Sequence, residues 1–455
     1  MLDDTIVAIS TPLGFGGLGI VRLSGKKSLA IVKTIFKPKQ RSFTFQVKKP
    51  VLGFLSDPET QDVFDEVYLI FFPAPHTYTC EDMVEISCHG SPVILEEVIR
   101  LCVKAGARHA GPGEFTLRAH VNGRIDIIQA EAIRDLIEAA SMTQVKISFL
   151  QMEGRLSRKT RELRARIIHL LSQIEAVIEF PEDGLRVTSR QILTTLEKTI
   201  LQIKSLVKSY DIGKTLSEGM ILAIAGRPNV GKSTLFNTLL DYDRAIVTPH
   251  AGTTRDILRE KITIVDSVFT LVDMAGLADA RNPVEKEGVR RGKKATAEAD
   301  GILLMVDAAE NTNKEDKKLI TQFKNKKMIL ILNKCDLPIK KDINRLRTIA
   351  SGIEILEISA LKKQNIHQLR QVILKTFVPE QKRGEDIILH LRQKLLLENI
   401  LTILFNTKKI LLEGYSEEYY VEELRAVLPL FGQLSGEIRS EEILQDIFGR
   451  FCVGK

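Results

Sequence analysis

A glycine-rich segment in the middle of the chain carries the residue types needed to hold a polyphosphate. Residues 226–233 read G-R-P-N-V-G-K-S and match the pattern G-x-x-x-x-G-K-[ST]. The glycines allow main-chain N–H groups to wrap around phosphates at a helix N-terminus. Lys232 would place a positive charge on the terminal phosphates, and the Ser233 hydroxyl would bind Mg²⁺. Because an apolar run precedes the segment and a helical pattern follows it, we predict a phosphate-binding loop between a strand and a helix.

A second motif, D-x-x-G, ends another apolar run at residues 273–276. It would place Asp273 near Mg²⁺, through water, and the Gly276 N–H near the γ-phosphate. Between the two motifs lies T-P-H-A-G-T-T-R-D over residues 248–256. This loop suits a switch that closes over the γ-phosphate with Thr254 as a second Mg²⁺ ligand, and an ordinary polar loop is the alternative.

A third motif, N-K-x-D at residues 333–336, indicates a site for guanine. One carboxylate can accept both the N1–H and N2–H donors of guanine, whereas adenine would leave Asp336 unpaired at a cost of about 1–3 kcal/mol. Ser359 and Ala360 would lie in the last loop, with the Ala360 N–H near guanine O6. Because these motifs follow one another in order at the ends of predicted strands, the region resembles the GTPase superfamily.

The predicted nucleotide site extends over all of these motifs. Its members are Asn229, Val230, Gly231, Lys232, Ser233, Thr234, Thr248, Pro249, His250, Ala251, Gly252, Thr253, Thr254, Asp273, Met274, Ala275, Gly276, Asn333, Lys334, Asp336, Ser359 and Ala360. Many GTPases place a water-orienting Gln directly after D-x-x-G, but here the position is Leu277. Asn229 and Glu285 are the polar candidates for catalytic help beside Lys232. Glu285 could alternatively begin an exposed helix.

Length and composition limit the class of protein. The chain has 455 residues, enough for about three domains, with 44% apolar residues and a formal net charge of +7. The charge favours an RNA partner, with solvated lysines of a basic protein as the alternative. Five cysteines without a C-x-x-C pair argue against a disulfide framework or zinc cluster and for a reducing cytoplasm. We expect no signal peptide, because the first residues lack a basic segment followed by an apolar run, and no membrane-spanning run.

Apolar spacing predicts a multidomain α/β protein. We expect an N-terminal α/β domain at 1–118, an all-α helical domain at 119–216 and 378–455, and a P-loop GTPase domain with a parallel, Ras-like sheet inserted at 217–377. The predicted strands are Thr5–Ile9, Gly19–Leu23, Val67–Phe72, Val84–Cys88, Met220–Ala225, Phe269–Val272, Gly301–Val306 and Met328–Leu332. Helical spacing dominates residues 124–212 and returns after Pro379.

The chain as a whole resembles the tRNA-modification GTPase family called MnmE or TrmE. Beyond the GTPase motifs, the resemblance rests on D-T-I-V-A at 4–8, G-P-G-E-F-T at 111–116, N-G-R-I-D at 122–126 and C-V-G-K at 452–455. It implies an N-terminal domain similar to folate-binding aminomethyl-transfer modules, which dimerises and binds 5-formyl- or 5,10-methylene-tetrahydrofolate. It further implies a homodimer that works away from membranes with an FAD-containing partner, MnmG or GidA. Together they would add an aminomethyl-type (carboxymethylaminomethyl) group to C5 of the wobble uridine of certain tRNAs.

The resemblance also implies roles for individual residues. A K⁺ ion would take the place of an arginine finger and be bound by Asn229, Thr248, His250 and Thr253. Glu285 aligns with the water-orienting glutamate of the family, against its interpretation as an exposed helix start. The folate contacts would fall on Arg22, Glu81, Arg124 and Lys455.

The chain departs from the family pattern at three positions. Met274 stands where Thr is usual, Ala278 replaces a common Arg, and Cys80 stands where Gly is usual in the folate loop. Cys452 is a candidate nucleophile, or alternatively a small residue packed in the last helix. A second functional hypothesis, from a different class, is a GTP-dependent RNA-binding switch in ribosome assembly, because A-G-T-T-R-D loops occur in such relatives too.

Overall fold

The structure, a computed structural model, forms two compact units. The described residues are 3–40, 47–180, 182, 186–243, 259–273, 299–311, 314–338, 346, 348–378, 387–438, 444, 447–451, 453 and 454. The first unit comprises Met1–Arg134, Gln151–Ile192 and Asn406–Lys455, and the second comprises Asp135–Leu150 and Leu193–Phe405. Each unit therefore combines segments that are far apart in the chain. The four domain ranges given above stay predictions.

A seven-stranded sheet dominates the N-terminal part of the first unit. Its strands are β1 (Ile6–Ile9), β2 (Gly16–Ser24), β3 (Phe36–Pro38), β4 (Val51–Ser56), β5 (Val63–Phe72), β6 (Met83–Gly90) and β7 (Arg108–His109). Their order is β3-β4-β5-β6-β2-β1-β7, and neighbours are antiparallel except β1 and β7. The predicted N-terminal strands correspond to β1, β2, β5 and β6. Strand β4 was not predicted, because Gly53 interrupts its apolar run where the Phe36 ring packs against it.

Helices α1 (Ser28–Ile35) and α2 (Pro92–Lys104) pack against this sheet, and further helices follow along the chain. They are α3 (Glu114–Val121), α4 (Ile127–Glu138), α5 (Met142–Met152), α6 (Arg155–Glu179) and α7 (Ser189–Glu218). Along α6, Leu156, Leu163, Ile167 and Ile174 are buried. This spacing keeps the apolar side chains on one face, as the sequence predicts.

A six-stranded sheet with helices on both faces forms the part of the second unit that is predicted to bind nucleotide. The strands are β8 (Met220–Gly226), β9 (Arg259–Ile264), β10 (Ser267–Asp273), β11 (Gly301–Asp307), β12 (Met328–Asn333) and β13 (Glu354–Glu357), and the helices are α8 (Lys232–Asp243), α9 (Lys314–Phe323) and α10 (Ile366–Phe377). The order is β13-β12-β11-β8-β10-β9, and only β9 is antiparallel to its neighbour. The four predicted strands are β8, β10, β11 and β12. Their carboxyl ends meet at one edge, which is where α/β sheets bind ligands.

Two long helices, α11 (Leu391–Leu412) and α12 (Glu417–Ser435), follow the second sheet along the chain. Helix α12 packs along α6, and an ion pair joins Arg425 to Glu175 at 2.7 Å. Since such exposed pairs contribute about 0–1 kcal/mol, the buried apolar stripe of α12 supplies most of the contact energy; its members are Tyr420, Val421, Leu424, Val427 and Phe431. Within the described part of the chain, we find no helix with the length and apolarity to cross a membrane.

Candidate functional site

The phosphate loop runs from the end of β8 to the start of α8. Gly226 has φ +148° and Gly231 has φ +101°, conformations that L side chains rarely adopt. A Cβ atom at Gly226 would overlap the Met305 carbonyl oxygen, and one at Gly231 would overlap the Asn333 side chain. Both glycines are therefore required by the backbone path and by close packing, and they leave main-chain N–H groups at the N-terminus of α8.

Lys232 lies inside this loop and is 8% exposed. Its Nζ donates to the carbonyl oxygens of Gly226 and Arg227 at 3.1 and 2.8 Å. Burial lowers the pKa of Lys232, and the nearby Asp273 carboxylate opposes that shift. The loop thus holds an ammonium group in a partly dehydrated setting, where its attraction for a phosphate is less screened than at an exposed surface.

Ser233 and Asp273 meet beside the loop with ligands suited to a divalent cation. Ser233 Oγ donates to Asp273 Oδ2 at 3.0 Å. Among the residues that the structure describes, Asp273 Oδ1 is buried and has no hydrogen-bond partner. A hydroxyl and a carboxylate are the hard oxygen ligands that Mg²⁺ prefers, and the uncompensated oxygen is explained by a cation or its bound water. The two residues therefore fit the predicted Mg²⁺ site.

Asn333 connects the phosphate loop to the predicted guanine site. Its Nδ2 donates to Val230 O at 2.8 Å, and the Ala360 N–H donates to its Oδ1 at 2.9 Å. The Ala360 N–H, predicted to approach guanine O6, therefore has Asn333 as its partner in this structure. Asp336 lies at the end of the same loop and is exposed, so its carboxylate is accessible to a base. One buried amide thus fixes two loops that are far apart in sequence.

Lys334 has an acidic partner that the motifs did not indicate. Its Nζ lies 2.5 Å from Asp307 Oδ2, and the Asp307 side chain is 5% exposed. The other Asp307 oxygen accepts the Ala309 N–H at 2.9 Å. The available signal was that Asp307 ends the apolar run of β11, just as Asp273 ends that of β10.

Several predicted site residues lie outside the described part of the chain. They are Thr248, Pro249, His250, Ala251, Gly252, Thr253, Thr254, Met274, Ala275, Gly276, Glu285, Cys452 and Lys455. The structure thus describes the loop, the first Mg²⁺ ligand and the guanine motif. The switch residues, Glu285 and the cysteine remain predictions.

A second candidate site is a cavity of about 600 Å³ in the first unit, a volume in the range of small-molecule sites. Arg124 lines it, donates to Tyr78 O at 3.0 Å and lies 4.8 Å from the Tyr78 ring centre. Arg22 lies 6.0 Å from the same ring and pairs at 2.8 Å with Glu85, which also lines the cavity. The structure therefore brings two of the predicted folate residues to one aromatic ring.

Glu81 is held by a buried arginine beside this cavity. Arg118 is 1% exposed and its Nη1 lies 3.1 Å from Glu81 Oε2. The same guanidinium pairs with Asp4 and Glu114 at 2.6 and 3.1 Å, and Ser24 Oγ donates to Glu81 at 2.8 Å. The sequence analysis did not assign Arg118 to the site. Cations, a carboxylate and an aromatic face suit a pterin with carboxylate tails, so the residues fit a folate.

Two family models match the chain. The model described as GTP-binding protein TrmE N-terminus matches residues 5–124, and the MnmE helical domain model matches residues 127–452. The tRNA modification GTPase MnmE of Thermoanaerobacter sp. (strain X514) is 40% identical over 460 residues, 100% of each chain. That of Aquifex aeolicus is 40% identical over 456 residues, again 100% of each chain. The chain belongs to the MnmE family.

Membership of the MnmE family confirms the predicted family and fold class. The two matched models correspond to the N-terminal and helical parts of the predicted architecture. Among solved structures, an Aquifex aeolicus Era variant bound to GDP·AlF4⁻ is 31% identical, with a TM-score of 0.30, over 40% of this chain and 67% of that chain. MnmE relatives are named GTPases, so the enzyme class predicted from the motifs is supported as well.

The Asp307–Lys334 pair gives a first testable prediction for this MnmE-family chain. In Asp307→Asn, Lys334 loses its anionic partner and the guanine loop loses its anchor. We expect KM for GTP to rise about tenfold, equivalent to about 1.4 kcal/mol, with kcat within about twofold of the parental value. The control is Asp300→Asn. Asp300 directly precedes β11, at the opposite end of the strand from Asp307, and its carboxylate accepts the Ile221 N–H at 2.8 Å. A fall in kcat at unchanged KM would contradict this role.

Cys80 gives a second prediction, because it has φ +61° in the loop that is predicted to contact folate. A side chain in this conformation costs about 1–2 kcal/mol, whereas glycine adopts it freely. This explains why glycine suits the position. The free energy of unfolding should be about 1 kcal/mol larger for Cys80→Gly than for Cys80→Ala. It can be measured by calorimetry or by urea titration of the unfolding transition of the first unit. Equal stability of the two variants would show that the conformation is not strained.

Proposed function

We propose that this chain hydrolyses GTP at the carboxyl edge of the second sheet and uses that reaction in tRNA modification. One observation carries the proposal. Lys232, Ser233 and Asp273 converge beside the phosphate loop while Asn333 joins that loop to the guanine motif. The MnmE names of full-length relatives support the same activity.

In the proposed mechanism, protein groups position the triphosphate and stabilise developing charge. Main-chain amides of the loop and Lys232 Nζ donate to the β- and γ-phosphate oxygens. Ser233 and Thr254 would hold Mg²⁺, which neutralises charge on these oxygens, with Asp273 reaching it through water. Asp336 accepts the two N–H donors of guanine. Glu285 would orient the attacking water, because Leu277 cannot.

We propose that K⁺ assists this reaction, bound by Asn229, Thr248, His250 and Thr253. Asn229 supports the assignment, since it is exposed on the phosphate loop with φ +62°, and its side-chain oxygen is a suitable ligand. GTP hydrolysis should be at least about tenfold faster in K⁺ than in Na⁺ at equal ionic strength, as expected when a cation replaces an arginine finger. Asn229→Ala should remove the difference. Equal rates of GTP hydrolysis by the parental protein in the two salts would exclude the proposed role of K⁺.

The N-terminal cavity supports a one-carbon tetrahydrofolate as the second ligand. Arg22 and Arg124 would pair with its carboxylates, Glu81 with its pterin donors, and Lys455 would add a further charge. With an FAD-containing MnmG (GidA) partner, the chain would add an aminomethyl-type group to C5 of the wobble uridine in certain tRNAs. Cys452 is a candidate nucleophile in that step. Cytoplasmic tRNA would be the substrate.

An exposed apolar strip supports a homodimer. Leu13, Phe15 and Leu18 are 76%, 92% and 59% exposed around the start of β2. Neighbouring exposed apolar side chains of this size indicate a protein interface. A second copy of the chain is the partner that we propose for it, since the resemblance places dimerisation in this domain.

The decisive experiment is wobble-uridine analysis of tRNA from cells that lack this protein. We expect the C5 substituent to be absent and to return with the parental chain but not with an inactive phosphate-loop variant. An unchanged tRNA would exclude the proposal. The alternative, a switch in ribosome assembly, is not favoured, because the N-terminal match over residues 5–124 belongs to the TrmE family. Tetrahydrofolate binding by the full dimer separates the two hypotheses.

A further inference from the structure

The geometry of the first unit points to an RNA-contact surface formed by Arg158 and Arg161 on α6, a helix that begins close to the cavity lined by Arg124. We infer that this strip, which we call the α6 strip, binds the phosphate backbone of the anticodon arm. The inference rests on the proposed tRNA substrate and adds the surface that receives it.

The first turns of α6 are strongly basic. Residues 155–166 contain six cations and one carboxylate, for a formal charge of 6 − 1 = +5. The cations are Arg155, Arg158, Lys159, Arg161, Arg164 and Arg166, and the carboxylate is Glu162. This twelve-residue stretch therefore carries much of the excess positive charge of a chain whose total is +7. Clustered cations on one helix are the electrostatic pattern of nucleic-acid binding.

Two of these arginines face away from the protein core. The buried face of α6 is formed by residues such as Leu156, Leu163 and Ile167, whereas Arg158 and Arg161 are exposed. Their guanidinium groups donate to main-chain carbonyls, Arg158 to Glu153 O at 2.9 Å and Arg161 to Ser157 O at 3.2 Å. Because a carbonyl does not neutralise a positive charge, these bonds leave both guanidinium groups cationic. Burial raises the pKa of the nearby Asp126 carboxyl and the charge of Arg161 opposes that shift, so Arg158 is the less compensated of the two.

The α6 strip leads to the cavity through a short chain of contacts. Gln129 Nε2 donates to Met152 O at 2.8 Å just before α6 begins, and the Gln129 N–H donates to Asp126 Oδ1 at 2.9 Å. Arg124 lies two residues before Asp126 and lines the cavity. The cations of α6 and of the cavity mouth thus belong to one connected part of the first unit.

The proposed transfer reaction gives a reason for the α6 strip to lie near the cavity. A one-carbon group bound in the cavity leaves through the cavity mouth, so during the transfer, in which the FAD-containing partner takes part, the wobble uridine and its flanking backbone should come close to that mouth. Loop RNA is recognised with its bases turned out and its phosphates held by cations. A cationic helix beside the cavity would hold the backbone while a base enters.

The test uses the full-length protein and a fluorescent anticodon stem–loop RNA with uridine at the wobble position. In Arg158→Gln/Arg161→Gln, binding measured by anisotropy at 0.1 M salt should weaken at least about tenfold, and the slope of log K against log salt should fall by about two. The matched control is Lys104→Gln/Lys409→Gln, which removes the same charge from two exposed cations paired with Glu59 and Glu413. It should retain parental affinity and slope.

The outcomes separate this inference from the function on which it rests. If the parental protein binds the RNA and both double variants bind it equally well, or equally poorly, the α6 strip is not the contact surface. If the parental protein does not bind the RNA, the proposed tRNA substrate fails and the inference fails with it. Protection of residues 155–162 from hydrogen exchange by the RNA gives a second measurement on the unmutated chain, and absence of protection would overturn the assignment.

Discussion

Replacing Lys232 by alanine should lower kcat/KM for GTP at least about 1,000-fold, equivalent to about 4 kcal/mol of transition-state stabilisation. The ammonium group is buried inside the phosphate loop and donates to Gly226 O and Arg227 O at 3.1 and 2.8 Å. No water molecule that entered the site would carry a positive charge to the same place. The measurement is steady-state phosphate release, together with the affinity for a non-hydrolysable GTP analogue.

The control for this variant is Lys261→Ala, because Lys261 is exposed on β9. We expect that variant to keep the parental rate, which would show that lysine removal from this sheet is harmless in itself. Parental turnover in Lys232→Ala would mean that hydrolysis occurs elsewhere, and the proposed site would have to be abandoned.

The second large effect concerns the base. Asp336→Asn should reduce kcat/KM for GTP at least about 100-fold and raise that for xanthosine triphosphate. The asparagine amide places a donor against a guanine N–H, whereas xanthine presents a carbonyl in place of the amino group. Since Asp336 is exposed at the end of its loop, the substitution should not disturb the core.

The comparison of the two nucleotides provides the internal control. A variant that lost GTP and gained xanthosine triphosphate must be folded, so the exchange would assign base recognition to this one carboxylate. Loss of both substrates at parental stability, or unchanged preference for GTP, would contradict the assignment.

The residues that the sequence located best are those specified by local pattern. Lys232, Ser233 and Asp273 belong to short motifs whose backbone conformation is set by neighbouring glycines and by the ends of apolar strands. Strands β8, β10, β11 and β12 were predicted for the same reason, because strands buried on both faces are apolar nearly throughout. The antiparallel strand β9, with polar residues at Arg259 and Lys261, gave no such signal.

The contacts that the sequence could not show join residues distant along the chain. Asn333 reaches Val230 across 103 residues, and Arg118 reaches Asp4 across 114. Which side chains meet over such separations depends on packing of the whole unit, and no periodicity encodes it. The sequence likewise did not predict the positive φ of Cys80, although it showed that this position departs from the glycine usual in the family.

The two hydrogen bonds of Asn333 lead us to expect that recognition of the two ends of the nucleotide is interdependent. Its amide touches the main chain at Val230 on one side and at Ala360 on the other. Because one side chain makes both hydrogen bonds, a displacement of one loop on binding triphosphate or purine would be transmitted to the other loop. By thermodynamic reciprocity, the factor by which bound base raises the affinity for phosphate equals the factor by which bound phosphate raises the affinity for the base. We therefore expect both the selectivity for guanine and the affinity for phosphate to depend on the side-chain amide of Asn333.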